Sequence, residues 1–308
     1  MIQNIIEGFW ISFFFAGISA YPVLWLLRVI KSETQVSPYA PVEHQKKQGT
    51  LIMGGLISLI GVIVGVIYFL PDFQNFKYLF ILIGGFSFIG FADDYLVPKV
   101  FKKRGIGWKE KLLMQFLVVF LFAFFLYGFE FQYRLEILFF VFLVVMFANA
   151  VNFTDGLDGL GASVLIFSLI PFALYFYFIN DEHSIIAVIM IGSMLPFLVF
   201  NSPPAKVFMG DVGSLFLGAM YGLLFAKSPW GSSLFPWLAS FIFLIELFPV
   251  PIQIAWVKLF KKRLFPATPI HHAFEVRGVK ESKIVWNFVL LQTILSLLAC
   301  TIVWESFR

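Results

Sequence analysis

The sequence predicts an all-α integral membrane protein of about ten transmembrane helices, built as a single polytopic domain over residues 1–308. Three observations carry that prediction. The chain is 60% hydrophobic and only 13% charged, where a soluble domain carries about 25% charged residues. Its apolar runs are about 17 to 22 residues long, a length that suits helices crossing a core of about 30 Å and not barrel strands of about 10 residues. Its lysines and arginines gather in alternate breaks between those runs.

The first run, 8–30, closes on Arg28 and Lys31 and has no basic leader, so it is expected to be a retained helix, with nothing preceding the membrane domain. The second, 51–70, opens on Gly54 and Gly55; the third, 78–96, follows Lys77 and ends through Asp93 and Asp94. A basic break leads into the fourth, 111–128. The fifth, 134–151, begins at Arg134 and stops before a short break that carries Asp155 and Asp158. The sixth and seventh, 159–178 and 184–200, part at His183, and the eighth, 212–226, lies between Asp211 and Lys227. The ninth, 236–257, gives way to the longest basic break, and the tenth, 284–304, holds the lone cysteine, Cys300. That thiol can form no intrachain disulfide and packs as a small hydrophobe. The 42 phenylalanines read as lipid-facing bulk, not as an aromatic-binding surface.

Sidedness follows from counting. Breaks on one side, which include Lys46, Lys47, Lys111 and the stretch 258–283, hold 18 of the 22 lysines and arginines. The other side holds Lys77, Arg134, Lys227 and Arg308. The richer face is cytoplasmic and both termini are outside. The same division, made without using the acids, sends Asp93, Asp94, Asp155, Asp158 and Asp211 all to the cytoplasmic face, where a cleft is expected. The net charge of +4 is explained by this asymmetry, so nucleic acid is not a partner.

Carboxylates beside hydrocarbon cost a few kcal/mol unless paired, which makes these five functional candidates. Acids alone suggest a hard cation such as Mg²⁺, usually shared with substrate phosphates. Gly156, Gly159, Gly161, Gly210 and Gly213 surround them and permit unwound backbone near a ligand; Gly54 and Gly55 read equally well as helix packing. Asp155 and Asp158, three apart, would share one helical face. Adjacent Asp93 and Asp94 would diverge by about 100° on a regular helix, so only one could point at a given ligand. In the break 258–283, His271 and His272 stand beside Arg277 and Lys280 and could bind phosphate oxygens without being buried. His44 and His183 lack such company, and no H-E-x-x-H spacing supports a zinc hydrolase.

The motifs together resemble a known family. Asp93-Asp94-Tyr95-Leu96, Trp108 to Leu113, Asn149 to Leu160 (NAVNFTDGLDGL), Phe208-Met209-Gly210-Asp211 and Pro269-Ile270-His271-His272 occur in that order over nearly the whole chain. They are similar to the phospho-N-acetylmuramoyl-pentapeptide transferases, of the polyprenyl-phosphate N-acetylhexosamine 1-phosphate transferase superfamily. Two departures stand out. The family pattern Gly-Thr-Pro-Thr-Met-Gly-Gly is here Gly49-Thr50-Leu51-Ile52-Met53-Gly54-Gly55, and the third histidine of its proline-led motif is Ala273.

The resemblance implies a bacterial inner-membrane enzyme with periplasmic termini. Its donor would be UDP-MurNAc-pentapeptide, its acceptor undecaprenyl phosphate, its cofactor Mg²⁺, and its products lipid I and UMP; a homodimer is implied as well. A sister enzyme using UDP-N-acetylglucosamine or a related UDP-sugar remains the alternative, and an ion-coupled carrier a remote one. Asp211 is expected to be the main metal ligand, with Asp155, Asp158 and Asn201 around metal and nucleotide. Asp93, or its neighbour Asp94, would deprotonate the lipid phosphate, or an Asp would form a covalent intermediate. Lys47, Thr50, Asn152, His271 and His272 would meet the substrate, and Phe208 would stack on uracil.

Overall fold

A computed structural model describes residues 1–34, 47–127 and 134–308; Lys46 and His44 lie outside the described residues. Helices occupy all ten predicted runs. They are α1 (Ile2–Val29), α2 (Gly55–Phe69), α3 (Phe76–Phe91), α4 (Trp108–Tyr127), α5 (Arg134–Thr154), α6 (Leu160–Phe178), α7 (His183–Asn201) and α8 (Gly210–Lys227), then α9 (Phe235–Ala239), α10 (Phe241–Leu247), α11 (Pro249–Phe260), α12 (Ile270–Val276) and α13 (Glu281–Ser306). Eight of the helical stretches are long and apolar enough to cross a membrane, and α2, with 15 residues, is shorter. The chain is a multi-pass membrane protein.

α8 is the axis of the bundle. Every residue from Val212 to Phe225 is buried, because α3 and α5 pack along it on two sides and α2 touches its start. Small residues set these distances. A Cβ on Gly55 would lie 2.2 Å from the Gly213 Cα, and one on Gly90 would lie 2.3 Å from the Asp211 carbonyl carbon. Backbones therefore meet directly, the packing role expected of glycine between membrane helices. The approach at Gly90 puts the first turn of α8 against the end of α3. Around this centre α1, α2 and α7 form one group, while α6 packs between α7 and α13. α4 lies outermost, with Leu113, Leu117, Phe120, Leu121 and Phe124 exposed toward the lipid.

Two predicted elements are not regular helices. The third run does not stop at 96: it continues from Ala92 to Phe101 as a π-helix with Pro98 inside it. The ninth, predicted as one span over 236–257, is three short helices. Pro236 and Pro249 stand in the first turns of α9 and α11, where a residue with no N–H to donate starts a helix but cannot continue one.

At the acidic end of the bundle, three non-helical segments are tied together by isolated bridges, Glu33 to Leu51 and Leu51 to Val207. Phe208 N donates to Leu51 O at 2.8 Å and Gly54 N to Phe208 O at 2.8 Å. These bonds hold the Lys47 segment and the Phe208 segment side by side above the start of α8.

Candidate active site

The site is assembled where the end of α3, the end of α5 and the starts of α4 and α8 meet. Gly210, at φ +72°, turns the chain into α8 and sets Asp211 in that helix's first turn, a favourable place for a carboxylate. Asp211 Oδ1 accepts from Asn152 Nδ2 at 2.8 Å, and Oδ2 is bonded to the Lys111 ammonium. Lys111, in the first turns of α4, also reaches Asp93 Oδ2 at 2.9 Å, and Asp93 Oδ1 accepts from Ile106 N at 2.6 Å. Asp94 Oδ2 accepts from Val212 N at 3.0 Å, capping α8. The carboxylates of Asp93, Asp94 and Asp211 offer oxygens that all lie within 4.8 Å of one another.

This corrects the expectation that Asp93 and Asp94 diverge. That expectation assumed a regular helix, and the pair sits on the π-helical stretch, whose wider winding brings neighbours closer to one face. Asp211 is gathered with Asp93 and Asp94, not with Asp155 and Asp158, among the described residues. Asp158 has both oxygens engaged elsewhere: Oδ1 with Lys47 Nζ at 2.6 Å and Oδ2 with Ala205 N at 2.9 Å.

Beside the three acids opens a cavity of about 300 Å³, whose walls include Lys47, Asn152, Asp155, Asn201, Phe208 and Asp211. Lys47 Nζ stands 5.5 Å from the centroid of the Phe208 ring. Burial disfavours the Lys47 charge, but hydrogen bonds to Asp158 and Glu281 more than offset it and hold the pKa above the usual lysine value. Asp155, in the turn after α5, is pushed well above the ordinary carboxylate range by burial, reinforced by the charges of Asp211, Asp94 and Asp158. A folded-state pKa raised in this way means that the folded state loses stability as pH rises from the unfolded value near 3.9 up through the folded one. Asp155→Asn is therefore expected to raise the thermal midpoint at neutral pH by a few degrees, and to leave it unchanged at pH 3. Thermal unfolding in detergent at both pH values checks this.

The remaining expected residues are placed differently. Asn201 spends both ends of its amide on backbone, accepting from Gly159 N at 3.1 Å and donating to Val207 O at 3.0 Å, so it braces the loops. Thr50 lies in the segment beside Lys47, and its carbonyl accepts from Thr34 N at 2.9 Å; Thr34 and Ile52 line the cavity instead. The Thr34 hydroxyl is buried there with no partner among the described residues.

His271 is wholly buried, contrary to the expectation of a loop histidine that needs no burial. Its backbone N donates to Glu246 Oε1 at 3.1 Å and its Nδ1 lies 3.0 Å from Glu246 Oε2, with Glu246 equally buried. The other ring nitrogen, Nε2, has no partner among the described residues and is aimed at Gly156, where an added Cβ would meet it at 2.3 Å. His272 is partly exposed, with Nδ1 2.5 Å from Glu275 Oε2. Glu246, Lys111 and Glu281 were not singled out from sequence. Glu246 had a usable signal, a lone acid inside the apolar run 236–257.

Comparisons with known proteins agree on one group. A family model described as glycosyl transferase family 4 matches residues 76–228. The chain is 39% identical to a phospho-N-acetylmuramoyl-pentapeptide-transferase of Caldanaerobacter subterraneus subsp. tengcongensis, over 96% of this chain and 97% of that one. It is 36% identical to one from Staphylococcus epidermidis (85% and 88% covered) and 35% identical to one from a Wolbachia sp. (94% and 95% covered).

Proposed function

The chain belongs to the phospho-N-acetylmuramoyl-pentapeptide transferase family, and on that premise we propose that it moves phospho-MurNAc-pentapeptide from UDP-MurNAc-pentapeptide to undecaprenyl phosphate. An oxygen of the lipid phosphate attacks the sugar-bearing phosphorus, the bond from that phosphorus to the bridging oxygen breaks, and UMP leaves with that oxygen; the lipid product is lipid I. The reaction belongs on the cytoplasmic face of a bacterial inner membrane, where 18 of the 22 lysines and arginines would then lie. The observation that carries the proposal is the convergence of Asp93, Asp94 and Asp211 with the Lys47 cavity at one end of a lipid-embedded bundle. A water-soluble nucleotide and a membrane-held phosphate can meet only at such a boundary.

The donor set suits Mg²⁺. Asp93, Asp94 and Asp211 offer only carboxylate oxygens, hard ligands that favour this ion, and the Lys111 ammonium already lodged between two of them marks the place as one for positive charge. Those three residues would hold the ion, which would supply charge neutralisation for the pyrophosphate. Lys47 binds the donor phosphates and Phe208 offers an aromatic face to the base. Asp93 takes the small remaining proton load of the lipid phosphate, whose second pKa is about 6. Both oxygens of Asp93 and of Asp211 already accept hydrogen bonds, which holds the two carboxylates in place beside the lipid phosphate for direct attack on the donor.

The departures from the family pattern bear unequally on the donor. Ala273 is buried within α12, so its missing imidazole concerns packing. Ile52 lines the cavity and gives it an aliphatic wall in place of a hydroxyl. The test is purified protein with Mg²⁺, undecaprenyl phosphate and either UDP-MurNAc-pentapeptide or UDP-N-acetylglucosamine. UMP release is expected with the first. Release with the second alone would move the chain to the sister activity, and release with neither would overturn the reading.

A further inference from the structure

We propose that Glu281 is a positioning residue that fixes the Lys47 ammonium for the donor's pyrophosphate; the proposal rests on the function given above. Glu281 opens the last helix and lies outside every motif of the site. One of its oxygens, Oε1, accepts from Lys47 Nζ at 2.6 Å and from Asp158 N at 2.9 Å. Asp158 in turn holds Lys47 through Oδ1 at 2.6 Å and the Ala205 amide through Oδ2 at 2.9 Å. Four separate segments, led by Lys47, Asp158, Ala205 and Glu281, are thus fastened at one point on the cavity rim.

The chemistry of lysine explains why two carboxylates are useful. Its ammonium rides on a flexible four-carbon stem and carries three donors. Asp158 and Glu281 take one each and leave one for a ligand in the cavity that Lys47 lines. A single carboxylate would fix the distance of the ammonium but not its direction. Glu281 also fixes the backbone of Asp158, so its loss loosens both members of the pair at once. Its own negative charge sits in the first turn of a helix, where the helix dipole favours it, and its side chain is largely covered, at 19% exposed.

Glu281→Ala is expected to raise the KM for the UDP-linked donor about tenfold, the loss of one charge-assisted hydrogen bond. The KM for undecaprenyl phosphate should stay unchanged and kcat should fall by less than about threefold. Glu281→Gln, whose amide oxygen still accepts both hydrogen bonds, should recover most of the donor KM. A purely structural role would lower the amount of active protein and leave both KM values alone, and that outcome would overturn the proposal. So would a Gln variant as impaired as Ala. Labelling of Lys47 by an amine-reactive reagent, read by mass spectrometry, gives an arm independent of turnover. Lys47 should label several-fold faster in Glu281→Ala than in wild type, with Glu281→Gln in between, and equal rates in all three proteins would overturn the proposal. If wild-type protein releases no UMP, the assigned function fails, while the labelling still decides whether Glu281 holds Lys47.

Discussion

Replacing Asp211 with alanine is expected to reduce transfer at least about 10³-fold while leaving the folded protein in place. The carboxylate is the meeting point of the site: Asn152 donates to one oxygen, the Lys111 ammonium contacts the other, and Asp93 and Asp94 stand close enough to share a cation with it. Its removal takes away a third of the acid cluster, yet Lys111 keeps Asp93 as a partner at 2.9 Å. The fold should survive because α8 is held by the buried run Val212 to Phe225, not by its first turn. The informative companion is Asp158→Ala. Asp158 is tied to Lys47 and the Ala205 amide, so that variant should weaken donor binding while the Mg²⁺ concentration needed for half-maximal rate stays as in wild type. UMP release titrated with Mg²⁺ separates the two; equal shifts in Mg²⁺ requirement would show that the acids act as one set.

The second large effect is expected at Glu246. Glu246→Leu removes both the acceptor for the His271 backbone N–H and the partner of its Nδ1, deep inside protein where neither can be replaced by bulk water. Leaving each of these buried donors unsatisfied costs about 1–3 kcal/mol. Activity should be lost with stability, because His271 also underlies the Gly156 turn: its Nε2 occupies the space a Gly156 side chain would need. Glu246→Gln keeps an acceptor and should recover much of the stability. Thermal unfolding of the three proteins in the same detergent tests this, and a Leu variant melting with wild type would contradict the assigned role of the pair.

The helices were legible because membrane burial demands long apolar runs, and each run from 8–30 to 284–304 became helix. What sequence missed was departure from regular winding. Nothing in FADDYLVPKVF distinguishes a π-helix from an α-helix, so the convergence of Asp93 and Asp94 was invisible. The proline pattern around Pro249 and Pro251 did carry a signal for the broken ninth run. That the acids beside hydrocarbon lie together was readable from sequence; which partner each takes was not, because Lys111 meets Asp211 and Lys47 meets Glu281 across 100 and 234 residues. Glu281 looks like an ordinary first-turn acid, and only tertiary structure gives it a lysine.

Asp93, Asp94 and Asp211 are proposed to form a single cation-binding cluster at one end of the bundle. Anomalous scattering from crystals soaked in Mn²⁺, an ion that the same oxygen ligands accept, tests it most directly. A single peak among those three carboxylates is the expected result. A peak between Asp155 and Asp158 instead, or no peak at a saturating Mn²⁺ concentration, would contradict it.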